Sequence, residues 1–205
     1  MKNIKQETIE KLENVSCPLC DSEERDVFLT SKDYLYSKEV FSIDKCCECN
    51  AIYTNPRVRE ESIGEYYHDE YRSYAKETRK SSFIKKVRWL MGKLFSNSRK
   101  SLVKHFLENN VNNVLEVGPG NGSLINFLTK NKIKCTAVEI NDECVRSIKS
   151  KGVECFNGSL TSLEGVLEGR IFDAIIMIHV FEHLYDPVST LDLAKKLLKP
   201  GGVLY

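Results

Sequence analysis

The 205-residue chain lacks any apolar run near the roughly 20 residues that a helix needs to cross a bilayer. That absence argues against a membrane-spanning class. Residues 1–13 are polar and charged, without the apolar core of a secretory signal, so a cytoplasmic protein is expected. An excess of one charge is lacking too: 30 Lys and Arg stand against 29 Asp and Glu, for a net charge of +1. Bulk attraction to a polyanion is therefore not built into the composition. A G-x-S-x-G nucleophile elbow, a Walker phosphate loop and an H-E-x-x-H helix are all absent. The 41% hydrophobic and 29% charged residues are those of a globular protein, long enough for one domain and a small module.

What is present centres on Val114-Leu115-Glu116-Val117-Gly118-Pro119-Gly120-Asn121-Gly122. A short apolar strand meets an acid and then glycines at alternate positions. Without a Cβ, such a backbone turns tightly and comes close to a ligand. Ser123 to Leu128 has helical periodicity, so the loop sits at a helix N-terminus, the nucleotide corner of a doubly wound α/β sheet. A dinucleotide fingerprint would place its third glycine where Ser123 stands. Downstream, Lys134–Glu139 reads as a second buried strand ending in a carboxylate, seventeen positions after Gly122. A carboxylate offers only acceptors, as two ribose hydroxyls require. Asn141-Asp142 caps a helix over 143–150, Val153–Phe156 reads as a third strand, and Phe172–Ile178 is a nearly continuous apolar fourth strand, buried on both faces. A helix over 191–198 is stopped by Lys199-Pro200-Gly201-Gly202, and Val203-Leu204-Tyr205 begins a fifth strand.

The E-x-G-x-G-x-G pattern resembles motif I of the class I S-adenosylmethionine (SAM) dependent methyltransferases. His179-Val180-Phe181-Glu182-His183-Leu184-Tyr185-Asp186-Pro187 resembles the "HVxEHxxDP" motif that follows strand four in small-molecule members, including those acting on sugars and quinones. The matches run in order over about residues 112–205. The resemblance implies an α/β, doubly wound, mostly parallel sheet. It implies cofactor contacts at Glu116, Gly118, Gly120, Asn121, Gly122, Glu139, Ile140, Ser159, Leu160 and His179. Adenine is expected beside Asn157–Leu160, with Ser159 standing where many relatives carry Asp. His179 and His183 lie where α/β sheets bind ligands, and either could be the base a hydroxyl or C–H acceptor needs. Packing near SAM and bracing of the loop are the other readings of the same two side chains. Gly118→Arg and Glu139→Ala are each expected to weaken SAM binding without unfolding the chain.

Five of the eight cysteines cluster. Cys17-x-x-Cys20 and Cys46-x-x-Cys49 form two knuckles with twenty-five residues between them, able to place four thiolates around a structural Zn²⁺. Val27–Leu29 and Glu39–Ile43 read as the short strands of a zinc ribbon. Cys47 is a spare, and a redox pair or unmetallated thiols is the alternative. Cys135, Cys144 and Cys155 read as plain buried or surface thiols. Asn55-Pro56-Arg57 and the Tyr66–Tyr71 segment resemble bacterial methyltransferases with an N-terminal zinc module, a group that often modifies deoxysugars. The expected organisation is a zinc module over 14–60, a helical connector or lid over 61–110 and a SAM-binding domain over 111–205.

Between Lys76 and Lys104 there are ten basic residues and one acid, with Phe83, Ile84, Val87, Leu90, Met91, Leu94 and Phe95 at helical spacing. Packing of this stripe on the sheet is one reading. Attraction to an anionic acceptor or peripheral contact with a membrane are the others. A helix over 98–109 is expected to follow. Val15–Glu60 holds six basic and nine acidic residues, whereas a module gripping phosphates should be basic. That argues against nucleic acid, with RNA methylation kept as the alternative, while the resemblance implies a small-molecule acceptor, sugar-linked. The resemblance also implies a seven-stranded sheet, of which only five strands can be counted. A truncated chain, or a partner completing the sheet, is expected, and a SAM-binding protein without turnover is the second class of function that fits.

Overall fold

In a computed structural model of the chain, the residues described are 11–34, 37–66 and 100–205. The expected apolar stripe Phe83–Phe95 and the tyrosines at 67 and 71 lie outside them. The chain divides into two units: Met1–Tyr71 with Tyr185–Val188, and Arg72–Leu184 with Ser189–Tyr205.

The first unit contains β1 (Leu12–Glu13), β2 (Arg25–Lys32), β3 (Val40–Cys46), β4 (Ile52–Thr54) and β5 (Arg57–Val58). An antiparallel sheet runs in the order β2-β3-β4, and β1 pairs with β5. The two expected strands are present, both longer than their apolar cores. Among the described residues of this unit, Cys17, Cys46, Val58 and Pro187 are the buried apolar residues, while Val27 and Phe28 are exposed. So small a core needs another source of folding energy.

The second unit holds the parallel sheet: β6 (Asn113–Val117), β7 (Lys134–Glu139), β8 (Glu154–Asn157), β9 (Phe172–Ile176) and β10 (Leu198–Leu204), in the order β10-β9-β6-β7-β8. Helices are α1 (residues 100–108), α2 (Ser123–Lys130), α3 (Asp142–Lys149), α4 (Glu164–Leu167) and α5 (Pro187–Leu197). Alternate strand residues feed two apolar clusters. Val114, Ala137, Ala174 and Ile176 join Phe106, Ile125, Leu128 and Ile148. Leu115, Val138 and Ile175 join Leu167, Leu193 and Leu197. Both faces of the sheet are therefore covered, which is why the middles of its strands are largely apolar. β7 and β8 lie on one side of β6, β9 and β10 on the other. The order reverses at β6, and the crevice at its carboxyl end is where such sheets bind ligands.

Several boundaries differ from the sequence reading. α5 starts at Pro187 rather than 191, because proline at a first helical position has no N–H to leave unsatisfied. β9 ends at Ile176, and the chain turns at 178. The helix does end just before Lys199-Pro200-Gly201-Gly202, and that segment is itself part of β10, accommodated by a register break between Leu198 and Val203. No helix among the described residues is long and apolar enough to cross a membrane.

Candidate functional site

The loop after β6 is built by backbone that glycine alone adopts readily. Gly118, Gly120 and Gly122 have φ of 65°, 54° and 68°, in the left-handed region that costs other residues about 1–2 kcal/mol. Gly118 N–H donates to Val138 O at 2.8 Å, pinning the loop to the end of β7. A Cβ on Gly118 would stand 2.5 Å from Cγ2 of Val180. Gly122 is the N-cap of α2.

Glu139 closes β7 and is 3% exposed. Its Oε2 accepts from Gly120 N at 2.8 Å, and its Oε1 accepts from Asn141 N at 2.9 Å. Its carbonyl accepts from Gly158 N at 3.0 Å. One residue thus ties together the loops after β6, β7 and β8. Each carboxylate oxygen keeps a further acceptor position. The Asn141 side chain caps α3 by accepting from Cys144 N at 3.0 Å. Ile140, beside Glu139, is 63% exposed, an apolar surface able to cover an aromatic ring.

The other expected contacts sit as follows. Asn121 Oδ1 accepts from Ser123 N at 3.1 Å, and its carbonyl accepts from Lys151 Nζ at 3.3 Å. The Ser159 hydroxyl accepts from Ser162 N at 3.2 Å and lies 3.3 Å from Thr161 Oγ1. Leu160 is buried in the core beside Leu163, leaving its backbone for any ligand. Asn157 Nδ2 donates to Asp142 Oδ1 at 2.9 Å. Glu116 is buried at the end of β6. Burial first, and the Glu116 charge second, push the Cys135 thiol up to about 12. Burial likewise pushes Cys144 and Cys155 up to about 11. These three are protonated packing groups.

His179 follows β9 with φ 57°, a left-handed backbone on a non-glycine residue. Its side chain is largely exposed, with Nδ1 3.5 Å from Glu182 Oε1. His183 N–H donates to Val180 O at 2.9 Å, within the one-turn helix Phe181–His183. Hydrogen bonds join Gly120 to Glu139 directly, and Val180 brings the histidine loop onto Gly118. Sequence reasoning passed over Val180, although it lies inside the H-V-x-E-H motif.

In the first unit, Sγ of Cys17, Cys20, Cys46 and Cys49 all lie within 4.8 Å of one another, with Cys17–Cys49 at 3.5 Å and Cys20–Cys46 at 3.6 Å. A tetrahedron with Zn–S near 2.3 Å has edges of about 3.8 Å, so the four sulfurs fit a zinc ion. Cys47 is apart from them, its Sγ 3.7 Å from Asp26 Oδ2. Asn55 is buried and bridges two segments: Oδ1 accepts from Val15 N at 2.9 Å, and Nδ2 donates to Asp44 Oδ2 at 2.9 Å. Asp44 also meets Arg25 Nε at 3.1 Å. Arg57 pairs with Glu13 at 2.8 Å, and its guanidinium lies 4.6 Å from the ring centre of Tyr185. The Asn-Pro-Arg motif is thus structural.

Parts of the chain are similar to known proteins. A family profile described as a methyltransferase domain matches residues 77–205. The ubiquinone biosynthesis O-methyltransferase of Xylella fastidiosa (strain 9a5c) is 32% identical over 97 residues, 45% of this chain and 39% of that protein. Its namesake in Xanthomonas oryzae pv. oryzae (strain PXO99A) is 30% identical over 97 residues, 45% of this chain and 41% of that protein. The chain spans about two fifths of the length of these relatives. A SAM-bound amino pentose methyltransferase from Micromonospora echinaspora superposes with a TM-score of 0.49 at 17% identity, covering 63% of this chain and 57% of that one.

Proposed function

Because the chain belongs to the methyltransferase-domain family, we propose that it transfers a methyl group from SAM to a small-molecule acceptor, a sugar or nucleotide-linked sugar. The observation that carries this reading is the Glu139 carboxylate, buried, bonded to the glycine loop through Gly120 and still able to accept two hydroxyl groups. In this role the backbone of Gly118, Gly120, Asn121 and Gly122 lies against the methionyl part, with Glu116 ordering the loop. Glu139 accepts from the ribose, Ile140 covers the adenine, and Asn157 with the backbone of Ser159 and Leu160 borders its edge. When bound, SAM supplies a methyl group on a sulfonium, a good leaving group.

The chain's own residues then have to hold the acceptor in line and exclude water. For a hydroxyl acceptor they must also take up a proton. His179 and His183, near the carboxyl end of β9, are the candidates for that base. Zn²⁺ held by Cys17, Cys20, Cys46 and Cys49 is structural, since four thiolates leave no open coordination position. We assign the zinc module to 14–60, the connector to 61–110 and the SAM domain to 111–205. Two features support a small, sugar-linked acceptor. The four-cysteine and Asn-Pro-Arg segments resemble the N-terminal module of deoxysugar methyltransferases, and Val15–Glu60 carries more acids than bases.

The test is a calorimetric titration with S-adenosylhomocysteine, using NAD as control. Micromolar binding of the first alone supports the cofactor assignment; binding of NAD, or of neither, rejects it. S-adenosylhomocysteine formation from SAM in the presence of a nucleotide-linked deoxysugar, and not of RNA, then supports the acceptor class.

A further inference from the structure

We propose that Val180 is a positioning residue, a clamp that seats the loop after β9 on the glycine loop and so sets where His179 stands beside the cofactor cradle. The inference rests on the cofactor reading above for its functional meaning, and on geometry alone for the clamp itself.

Three observations carry it. First, Val180 Cγ2 occupies the space over the Cα of Gly118: a Cβ built there would lie 2.5 Å away, while the other two nearest atoms, Val180 Cβ and Cγ1, would be at 3.8 Å. The absence of a side chain at 118 and the presence of one at 180 are therefore two halves of one contact. Second, Val180 is half-buried and packs on the apolar cluster of Leu115, Val117 and Met177, unlike its neighbours Ile178, His179, Phe181 and Glu182, which are exposed. It is the point at which this loop is held. Third, His179 keeps a left-handed backbone at φ 57°. Such a conformation persists in a non-glycine residue where flanking structure over-determines it. On one side the flank is the β9 ladder, extended by Met177 N–H donating to Tyr205 O at 2.7 Å. On the other it is Val180, whose carbonyl accepts from His183 N at 2.9 Å and closes the next turn. Releasing Val180 frees the second flank, and His179 loses its fixed place.

A double-mutant cycle on the whole chain tests the clamp, read by S-adenosylhomocysteine calorimetry. Gly118→Ala suffers both the left-handed backbone and the clash with Cγ2; in Val180→Ala the clash is gone and only the backbone cost is left. We expect Gly118→Ala to weaken binding about tenfold or more in the parent and under about threefold in the Val180→Ala background. Val180→Ala alone should weaken binding about fivefold, and Val180→Ile, which keeps both γ carbons, should restore it to within about twofold. The ¹⁵N–¹H ring signal of His179 should shift or double in Val180→Ala while that of His105 stays. A merely structural role would lower the unfolding midpoint and leave the His179 ring signal unmoved. Equal costs of Gly118→Ala on both backgrounds would overturn the clamp. Should the parent bind no S-adenosylhomocysteine, the cofactor reading fails, and the same cycle is read in urea midpoints: non-additive shifts keep the contact, additive shifts reject it.

Discussion

The Gly120 backbone N–H donates to Glu139 Oε2 at 2.8 Å, and Asn141 N–H donates to the other oxygen of that carboxylate at 2.9 Å. An acid expected only to meet a ribose is therefore also the fastening between two loops. Its two tasks are compatible because each oxygen accepts more than one hydrogen bond. They also change what its removal should do.

Glu139→Ala is expected to lower S-adenosylhomocysteine affinity at least about tenfold and to destabilise the chain by ~2–3 kcal/mol, since a buried and a part-buried N–H group lose a charged acceptor. A loss of binding alone, which the sequence suggested, would mean that the fastening contributes nothing. Calorimetry on the variant, together with its urea midpoint, separates the two. Glu139→Gln should fall between, because its amide keeps one acceptor and turns a donor toward the other N–H.

Zinc content gives a second check. The geometry of Cys17, Cys20, Cys46 and Cys49 leads us to expect about one zinc per chain. Cys17→Ser with Cys20→Ser should abolish it and unfold the first unit, whose apolar core is too small to stand alone. In the metal-loaded protein a thiol reagent should modify Cys47 first, as it is exposed and outside the cluster. Strong chelation should then release four more reactive thiols, while Cys135, Cys144 and Cys155 stay slow. Metal-free protein with normal antiparallel-sheet signals would reject the ribbon.

Why some of this was legible in the chain and some was not has a physical basis. Lys134–Glu139 could be read residue for residue because a strand buried on both faces keeps small and apolar side chains through its middle, and its last residue is polar for a reason. The glycines at 118, 120 and 122 were legible because positive φ leaves few alternatives. The partners of Glu139 were not, since they are backbone N–H groups, which every residue carries. Val180 was hidden for the same kind of reason: its role is a shape fitted to an absent side chain at Gly118. The end of β10, Val203-Leu204, was legible as a strand and its start was not. Parallel pairing with β9 outweighed the breaking tendency of Lys199-Pro200-Gly201-Gly202, at the cost of a register break. Asn55 was noticed as a motif member, but its bridge from Val15 to Asp44 joins positions 40 and 11 residues away.

That bridge makes a third prediction. Asn55→Ala should destabilise the first unit by ~2–3 kcal/mol, because the Val15 N–H loses its acceptor and Asp44 loses a donor in a buried setting. Arg25 still faces Asp44, so the carboxylate keeps a cation and the fold should survive. The measurable sign is zinc released to a competing chelator at lower chelator concentration than in the parent. Asn55→Asp should be worse, placing a second charge beside Asp44. Release curves identical to the parent would show the bridge to be idle.

Asp173 supplies a pH-dependent test. Lys199 Nζ lies 2.6 Å from its Oδ1, and the N–H groups of Asn112 and Asn113 donate to Oδ2 at 2.7 and 2.9 Å. The Lys199 ammonium first, and the two backbone donors after it, hold this carboxyl below the usual carboxylate range. A carboxyl depressed in the folded state contributes stability that is present above its unfolded pKa, near about 4, and is lost as pH falls through the folded value. Asp173→Asn should therefore cost ~2 kcal/mol at about pH 7, read from urea midpoints. The gap between parent and variant should narrow steadily below about pH 4, as the parent's own carboxyl takes up its proton. Since Asp173 joins the start of β9 to the turn before β6 and to Lys199 in β10, a gap that stayed constant on acidification would mean that packing, not charge, holds these strands in register.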